Sequence, residues 1–422
     1  MSDLSAYSKP AFSPTKVDKL TFFKDHIIVS DMKFEDRITK SGIILKNDDK
    51  KSEGIRPRWA KIYGLGPDVK DPELQIGKYI LISHGRWTRG IDVEDENLAF
   101  HFPYDVAWDS SDNIYILDEG NNRIQKFSPE GKYLATIGRH GQGPGEFQSP
   151  FSLDIDSKGY LYVSEGGSRR IQILTPEGKA YKTIKNTKYL VHKLRHLPSG
   201  LIAAGGPPNF SLLAETKAKD FPKLIKILDL KGNLQFEFVD MLDYKNNLVN
   251  ERGNWIDFDA AKDGCCYVTF AYQNRIEKYS PEGKLLWRAD RPLNYGTEPL
   301  FMGSVERKAS GSITIQGPQL NHVSNGIAVD SKGRAWIATL NRQPTREEEG
   351  EVIIAPGVSR VEGASELEKI DAYKLEIFDP DGILLGEMRL DHRVHGMRIY
   401  KNYLFTWERN FAKYYQYEII EK

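Results

Sequence analysis

Six positions, Tyr104, Phe151, His192, Asn254, Asn325 and His395, carry side chains that could do chemistry if they stood at one level around an axis. Imidazole nitrogen is a good ligand for divalent metals, and amides both donate and accept hydrogen bonds. Two of each facing one space could therefore hold a metal or a polar small molecule. The residues next along, Asp105, Ser152, Lys193, Trp255, Gly326 and Gly396, add a carboxylate, a hydroxyl and an ammonium. The metal option rests on His192 and His395 alone, whereas a catalytic zinc site needs three protein ligands. No cofactor is expected, and a water-filled polar channel accounts for the same residues.

Placing these residues at one level requires a repeat, and the chain has one. A single offset carries Pro103 onto Pro150, Asp109 onto Asp156, Tyr115 onto Tyr162, Arg123–Ile124–Gln125 onto Arg170–Ile171–Gln172, and Pro129–Glu130–Gly131–Lys132 onto Pro176–Glu177–Gly178–Lys179. A further copy ends in Asn274–Arg275–Ile276 and Ser280–Pro281–Glu282–Gly283–Lys284. Another begins at "GIAVDSKGRAWIAT" and reaches "LEIFDPDG" after a long insertion, and two degenerate copies bring the count to six. Short alternating runs between Asp/Ser/Gly or Pro-Glu-Gly turns predict antiparallel strands. Four strands in units of roughly 40–50 residues predict propeller blades, none of which buries its faces until a neighbour stacks on it. Val106, Leu153, Leu194, Ile256, Ile327 and Met397 are taken as equivalents on the innermost strands. Arg123, Arg170 and Arg275 recur in one place and are expected to be architectural.

The 422 residues carry 59 basic and 59 acidic side chains, so no long-range field gathers nucleic acid or anionic lipid. The two cysteines, Cys265 and Cys266, are adjacent, which disfavours a structural disulfide. The first residues lack an apolar signal core and no long apolar run follows, so a cytoplasmic protein without membrane contact is expected. Glycine-rich "GRHGQGPGEF" precedes a strand rather than a helix, so it is no phosphate loop. Glu347–Glu348–Glu349 is expected to be a solvated segment of the insertion.

The first hundred residues obey other rules. Alternation around Ile27–Val29, Trp59–Tyr63 and Tyr79–Ile82 predicts strands of a small all-β barrel after a disordered start over residues 1–19. Between them, "ITKSGIILKNDDKKSEG" holds the apolar triplet Ile43, Ile44 and Leu45 among polar residues. Such a triplet either adds a strand or stays disordered until it buries itself in a partner's groove.

"GIRPRWAKIYGLGPDV" and "HGRWTRGI" resemble the co-chaperonin (GroES-like) family, in its tailed-phage branch. The resemblance covers residues 20–97 and implies a mobile loop that docks on a chaperonin ring, with Gly42 as its hinge and Ile43, Ile44 and Leu45 as its contacts. It also implies a closing barrel strand that this chain lacks, which puts a heptameric ring in doubt and suggests a fusion joined between Asn97 and Phe100. "PYDVAWDSSDNIYILDEGNNRIQKFSPEGK" and the copy after it resemble a six-bladed β-propeller of the NHL type, over residues 98–422. The expectation is an all-β, non-enzymatic binding protein: a propeller for a protein, peptide or small ligand joined to a co-chaperonin-like domain. The alternative is a metal-dependent propeller hydrolase or lyase, to which the lactonase-like "SNGIAVD" around Asn325 lends a short match.

Overall fold

The computed structural model describes residues 27–30, 37–38, 44–45, 58–65, part of 69–82, 100–185, 190–208, 221–307, 313–345, 348, 351–355, 358–362, 370–409 and 413–420. The chain divides into two compact units, Met1–Asp95 and Glu96–Lys422.

In the first unit Arg58–Leu65 lies between Ile27–Ser30 and Tyr79–Ile82 in an antiparallel sheet. Arg37–Ile38 pairs separately with Ile44–Leu45. Among the described residues these strands make a three-stranded sheet and a hairpin rather than a closed barrel. Ile44 and Leu45 thus occupy a short strand, while Gly42 and Ile43 lie outside the described residues. So do residues 83–99, on which the questions of the closing strand and the fusion joint fall.

The second unit is a six-bladed β-propeller. Five blades are four-stranded antiparallel meanders, beginning at Pro103, Pro150, Lys193, Ile256 and Ser324. The sixth, from Gly396, shows three strands among the described residues. The turns explain the repetition. Asp109, Asp156, Asp229, Asp330 and Asp379 each accept hydrogen bonds from the backbone N–H groups two and four residues on. An aspartate there substitutes its carboxylate for a backbone acceptor and fixes the hairpin. In the Pro-Glu-Gly turns Gly131, Gly178 and Gly283 sit at φ of 81°, 79° and 81°, where a Cβ would be strained. The recurrent arginines are architectural: Arg123 bonds Asp118 at 2.8 Å and Arg170 bonds Glu165 at 2.7 Å. Arg170 also donates to the carbonyls of Gln142 and Glu146 in the preceding connection.

Apolar clusters fill the spaces between successive blades, and an ion lattice closes the axis. Arg195 of blade three donates to Asp259 of blade four at 2.7 Å and stands 3.6 Å from Asp105 of blade one. Arg398 of blade six donates to the carbonyls of Val106 and Leu153 and to Asp154 of blade two. Asp259 also accepts from the N–H of Val329 in blade five, at 2.9 Å. All six blades therefore meet through five charged side chains, each satisfying another's desolvated charge.

Candidate ligand cavity at the channel mouth

Within each blade the innermost strand begins, and the second strand ends, at the same rim, because the two run antiparallel: Ile256 pairs with Phe270 and Gly396 with Trp407. Residues at both places surround a cavity of about 500 Å³. Tyr104, Phe151, His192, Asn325 and His395 all line it. Lys193, Trp255 and Gly396 line it too, whereas Asp105, Ser152, Asn254 and Gly326 do not. Asp105 is spent in the ion lattice: its carboxylate accepts from Val106 N–H, Ser152 Oγ and Leu153 N–H, and three cations hold it far below the usual carboxylate range against the opposing effect of burial.

Asn254 is also placed elsewhere. A helix, Asn247–Gly253, precedes the inner strand of blade four, and Asn254 follows it as the C-cap, bonding Leu242 N–H and O and Asn250 O. The turn at Ala261 to Gly264 sets the register, making Phe258 rather than Ile256 the counterpart of Val106. The same local signature marks both, since Asp105 accepts from Val106 N–H and Asp257 from Phe258 N–H. Blade four accordingly presents Ile256 and Asp257 to the cavity.

The structure adds residues that the strand alignment passes over: His322, Arg252, Tyr272, Trp407 and Arg409. A band of rings runs around the wall. The Arg409 guanidinium lies 4.4 Å from the centre of the Tyr104 ring. Tyr104 stacks near Phe151 and hydrogen-bonds His192 Nε2, and His192 lies 5.1 Å from Trp255. Arg252 then sits over both Trp255 and Tyr272, at 5.7 and 5.0 Å, and Tyr272 lies 4.5 Å from His322. Gly396 permits this packing, since a Cβ there would come within 2.3 Å of the Trp407 ring.

Electrostatics follow from burial and from the two arginines. Burial first, then Arg409 and Lys193, pull the His192 imidazole down to about 3. His395 is pulled down to about 3 by burial, with Arg409 next, and His322 to about 4 by burial and Arg252. All three are neutral at pH 7. Burial pushes the Tyr104 phenol up to about 12, so it remains protonated and shares a hydrogen bond with His192 Nε2. Asp257 is matched by Lys193 at 3.2 Å, and Glu348 by Arg342 at 2.6 Å. Glu348 is thus a wall of this cavity rather than a solvated charge, and its carbonyl accepts from Arg393. Arg252 and Arg409 have no carboxylate within salt-bridge distance among the described residues, although the Arg409 charge reaches Glu119 and partly opposes the upward push of burial on its carboxyl. Three polar atoms of lining residues, His322 Nδ1, Trp407 Nε1 and Arg409 Nε, are closed off from the cavity and have no hydrogen-bond partner among the described residues.

Metal binding fits this donor set poorly. Tyr104 already occupies His192 Nε2, and among the described residues no three His, Cys, Asp or Glu side chains gather closely enough to share an ion. A wider groove of about 1200 Å³ lies on the outer parts of blades five and six, lined by Met388, Tyr417 and Ile420.

Residues 95–191 match the family DUF5128, described as a 6-bladed beta-propeller. The match and the six sheets agree. No curated protein matches the chain. Among solved structures, a DUF4221-family member from Bacteroides vulgatus is 11% identical with a TM-score of 0.48, covering 77% of this chain and 95% of that one. A streptogramin B lyase is 14% identical with a TM-score of 0.40, covering 75% and 93%. The virginiamycin B lyase of Staphylococcus aureus is 13% identical with a TM-score of 0.40, covering 75% and 94%. Among the described residues no helix is long and apolar enough to cross a membrane.

Proposed function

We propose that the propeller is a binding module that takes a small organic ligand into its channel mouth. The observation that supports this most directly is the cavity of about 500 Å³, walled by aromatic rings and by the Arg252 and Arg409 guanidinium groups, neither of which has a carboxylate within salt-bridge distance among the described residues. Pockets of this size, apolar with a few convergent polar groups, suit small organic molecules. The metal-dependent hydrolase or lyase reading has the weaker support, because its ligand set is incomplete.

The test uses Trp255 and Trp407 as reporters, since both line the cavity. Small molecules are expected to change tryptophan fluorescence saturably and to raise the unfolding midpoint. A Phe151→Trp/Asn325→Trp double variant, which fills the mouth, is expected to lose both responses. Responses of equal size in the filled variant would place binding elsewhere and end this reading.

For the N-terminal unit, the proposal that goes with the co-chaperonin resemblance is chaperonin docking through Ile43, Ile44 and Leu45. Ordering a short loop costs a few kcal/mol, so one copy binds weakly and several bind well. ATP-dependent co-elution with a chaperonin is expected for the full chain, and its loss when all three are changed to alanine. Co-elution that survives the triple change would remove the loop from the interface.

A further inference from the structure

Resting on the cavity reading above, we propose that the ligand is an organic anion with a planar body, its charged group answered by Arg252 and Arg409.

The charge balance of the wall supports this first. Lys193, Arg252, Arg393 and Arg409 face Asp257 and Glu348, an excess of two positive charges. The pairings already made locate that excess. Lys193 is matched by Asp257, and Arg393 by Glu408 at 3.0 Å, while Glu348 is held by Arg342. Arg252 and Arg409 pack on ring faces and have no carboxylate within salt-bridge distance among the described residues, while Glu119 and the Tyr104 hydroxyl stand near enough to Arg409 to feel its charge. A ring face satisfies a guanidinium only in part, because its N–H donors remain available around the edge.

The chemistry of the two cations points the same way. A guanidinium carries only donors, five N–H groups in a planar fork. A partner for it is therefore rich in acceptors, as a carboxylate or phosphate is, and charge-assisted bonds from arginine to either are among the strong ones.

The body of the ligand follows from the rest of the wall. Tyr104, Phe151, Trp255, Tyr272, Tyr373 and Trp407 give flat apolar surfaces around this donor set. An inorganic anion would leave those faces wet, and a neutral aromatic would leave the donors unpaired. A ring bearing a carboxylate or phosphate answers both.

The experiment titrates the full chain with phenyl phosphate and benzoate, using benzyl alcohol, benzamidine and inorganic phosphate as controls, followed by tryptophan fluorescence and calorimetry. The expected result is saturable binding of at least one aromatic anion, ten-fold or more tighter than benzyl alcohol and benzamidine. Arg252→Gln and Arg409→Gln are each expected to weaken it about ten-fold while leaving benzyl alcohol unchanged. Comparing phenyl phosphate with benzoate separates the two anion classes. Aromatic anion and neutral aromatic binding alike, both lost in the Phe151→Trp/Asn325→Trp variant, would overturn the anion assignment and keep the cavity. Inorganic phosphate binding as tightly as phenyl phosphate would overturn the planar body. No binding of any probe, or binding indifferent to the filled mouth, would overturn both readings together.

Discussion

Replacing Arg398 with alanine is expected to destabilise the propeller by about 3–5 kcal/mol, the cost of leaving buried charge without its partner. The side chain comes from the last blade, is 9% exposed, and reaches Val106 O, Leu153 O and Asp154 in the first two blades. It also stands 3.5 Å from Asp105 and 3.8 Å from Asp259. A ring of blades has one seam where the last meets the first, and contacts across it span nearly the whole repeat in sequence. Here the guanidinium acts beside an apolar cluster of Val106, Phe127 and Trp407 and a Trp108 ring stacked on Tyr400. Alanine would take one of the three cations from Asp105, leaving Lys193 and Arg195, and would remove a donor from Asp154 and from two backbone carbonyls. Urea unfolding followed by circular dichroism measures the loss. An Arg398→Met/Asp105→Asn double variant separates charge from packing, and it is expected to recover part of the loss, because the lattice then has one less orphaned carboxylate. A shift under about 1 kcal/mol in Arg398→Ala would mean that the seam is held by apolar packing instead.

Blades one and two could be read directly from the sequence because their turn residues are nearly identical, and turn chemistry fixes strand ends. Blade four misled the alignment by two residues. Its inner strand is preceded by a helix, and the apolar Ile256 looks as good a core residue as Phe258 until the turn after Phe258 is counted back. The mouth was half visible. Positions at the start of inner strands gave Tyr104, Phe151, His192, Asn325 and His395, but the rim is also built by the ends of second strands and by connections. Arg409 follows a second strand that ends at Glu408, Tyr272 follows one that ends at Phe270, and His322 lies in the connection leading to Ser324. Antiparallel pairing makes those places adjacent to the ring, so the repeat itself carries the signal for them. Asp105 illustrates the opposite difficulty. A carboxylate near a channel mouth reads as a ligand until its cations are known, and those come from blades three and six, remote in sequence.

Acid is expected to unfold the propeller through the same histidines that line its mouth. In the unfolded chain an imidazole takes up its proton near pH 6.5; in the fold His192 and His395 hold out to about 3 and His322 to about 4. Between those limits the unfolded state binds more protons than the native one, so stability rises with pH and is lost as pH falls below about 6.5. Above pH 7 all three are neutral in both states and the dependence from them vanishes. The carboxylates of Asp105 and Asp259 lie below their ordinary range, so their contribution is lost in a separate window beneath about pH 4. Each histidine is discounted for the side that faces the cavity, leaving a loss on the order of 1–2 kcal/mol apiece at pH 4.5. Urea midpoints at pH 7.5, 6.0, 5.0 and 4.5 are expected to fall steadily. A His192→Gln/His322→Gln/His395→Gln variant is expected to flatten that slope, even if it starts from a lower midpoint. A stability profile flat to pH 4.5, or one whose slope survives the triple change, would show that these imidazoles do not carry the acid response.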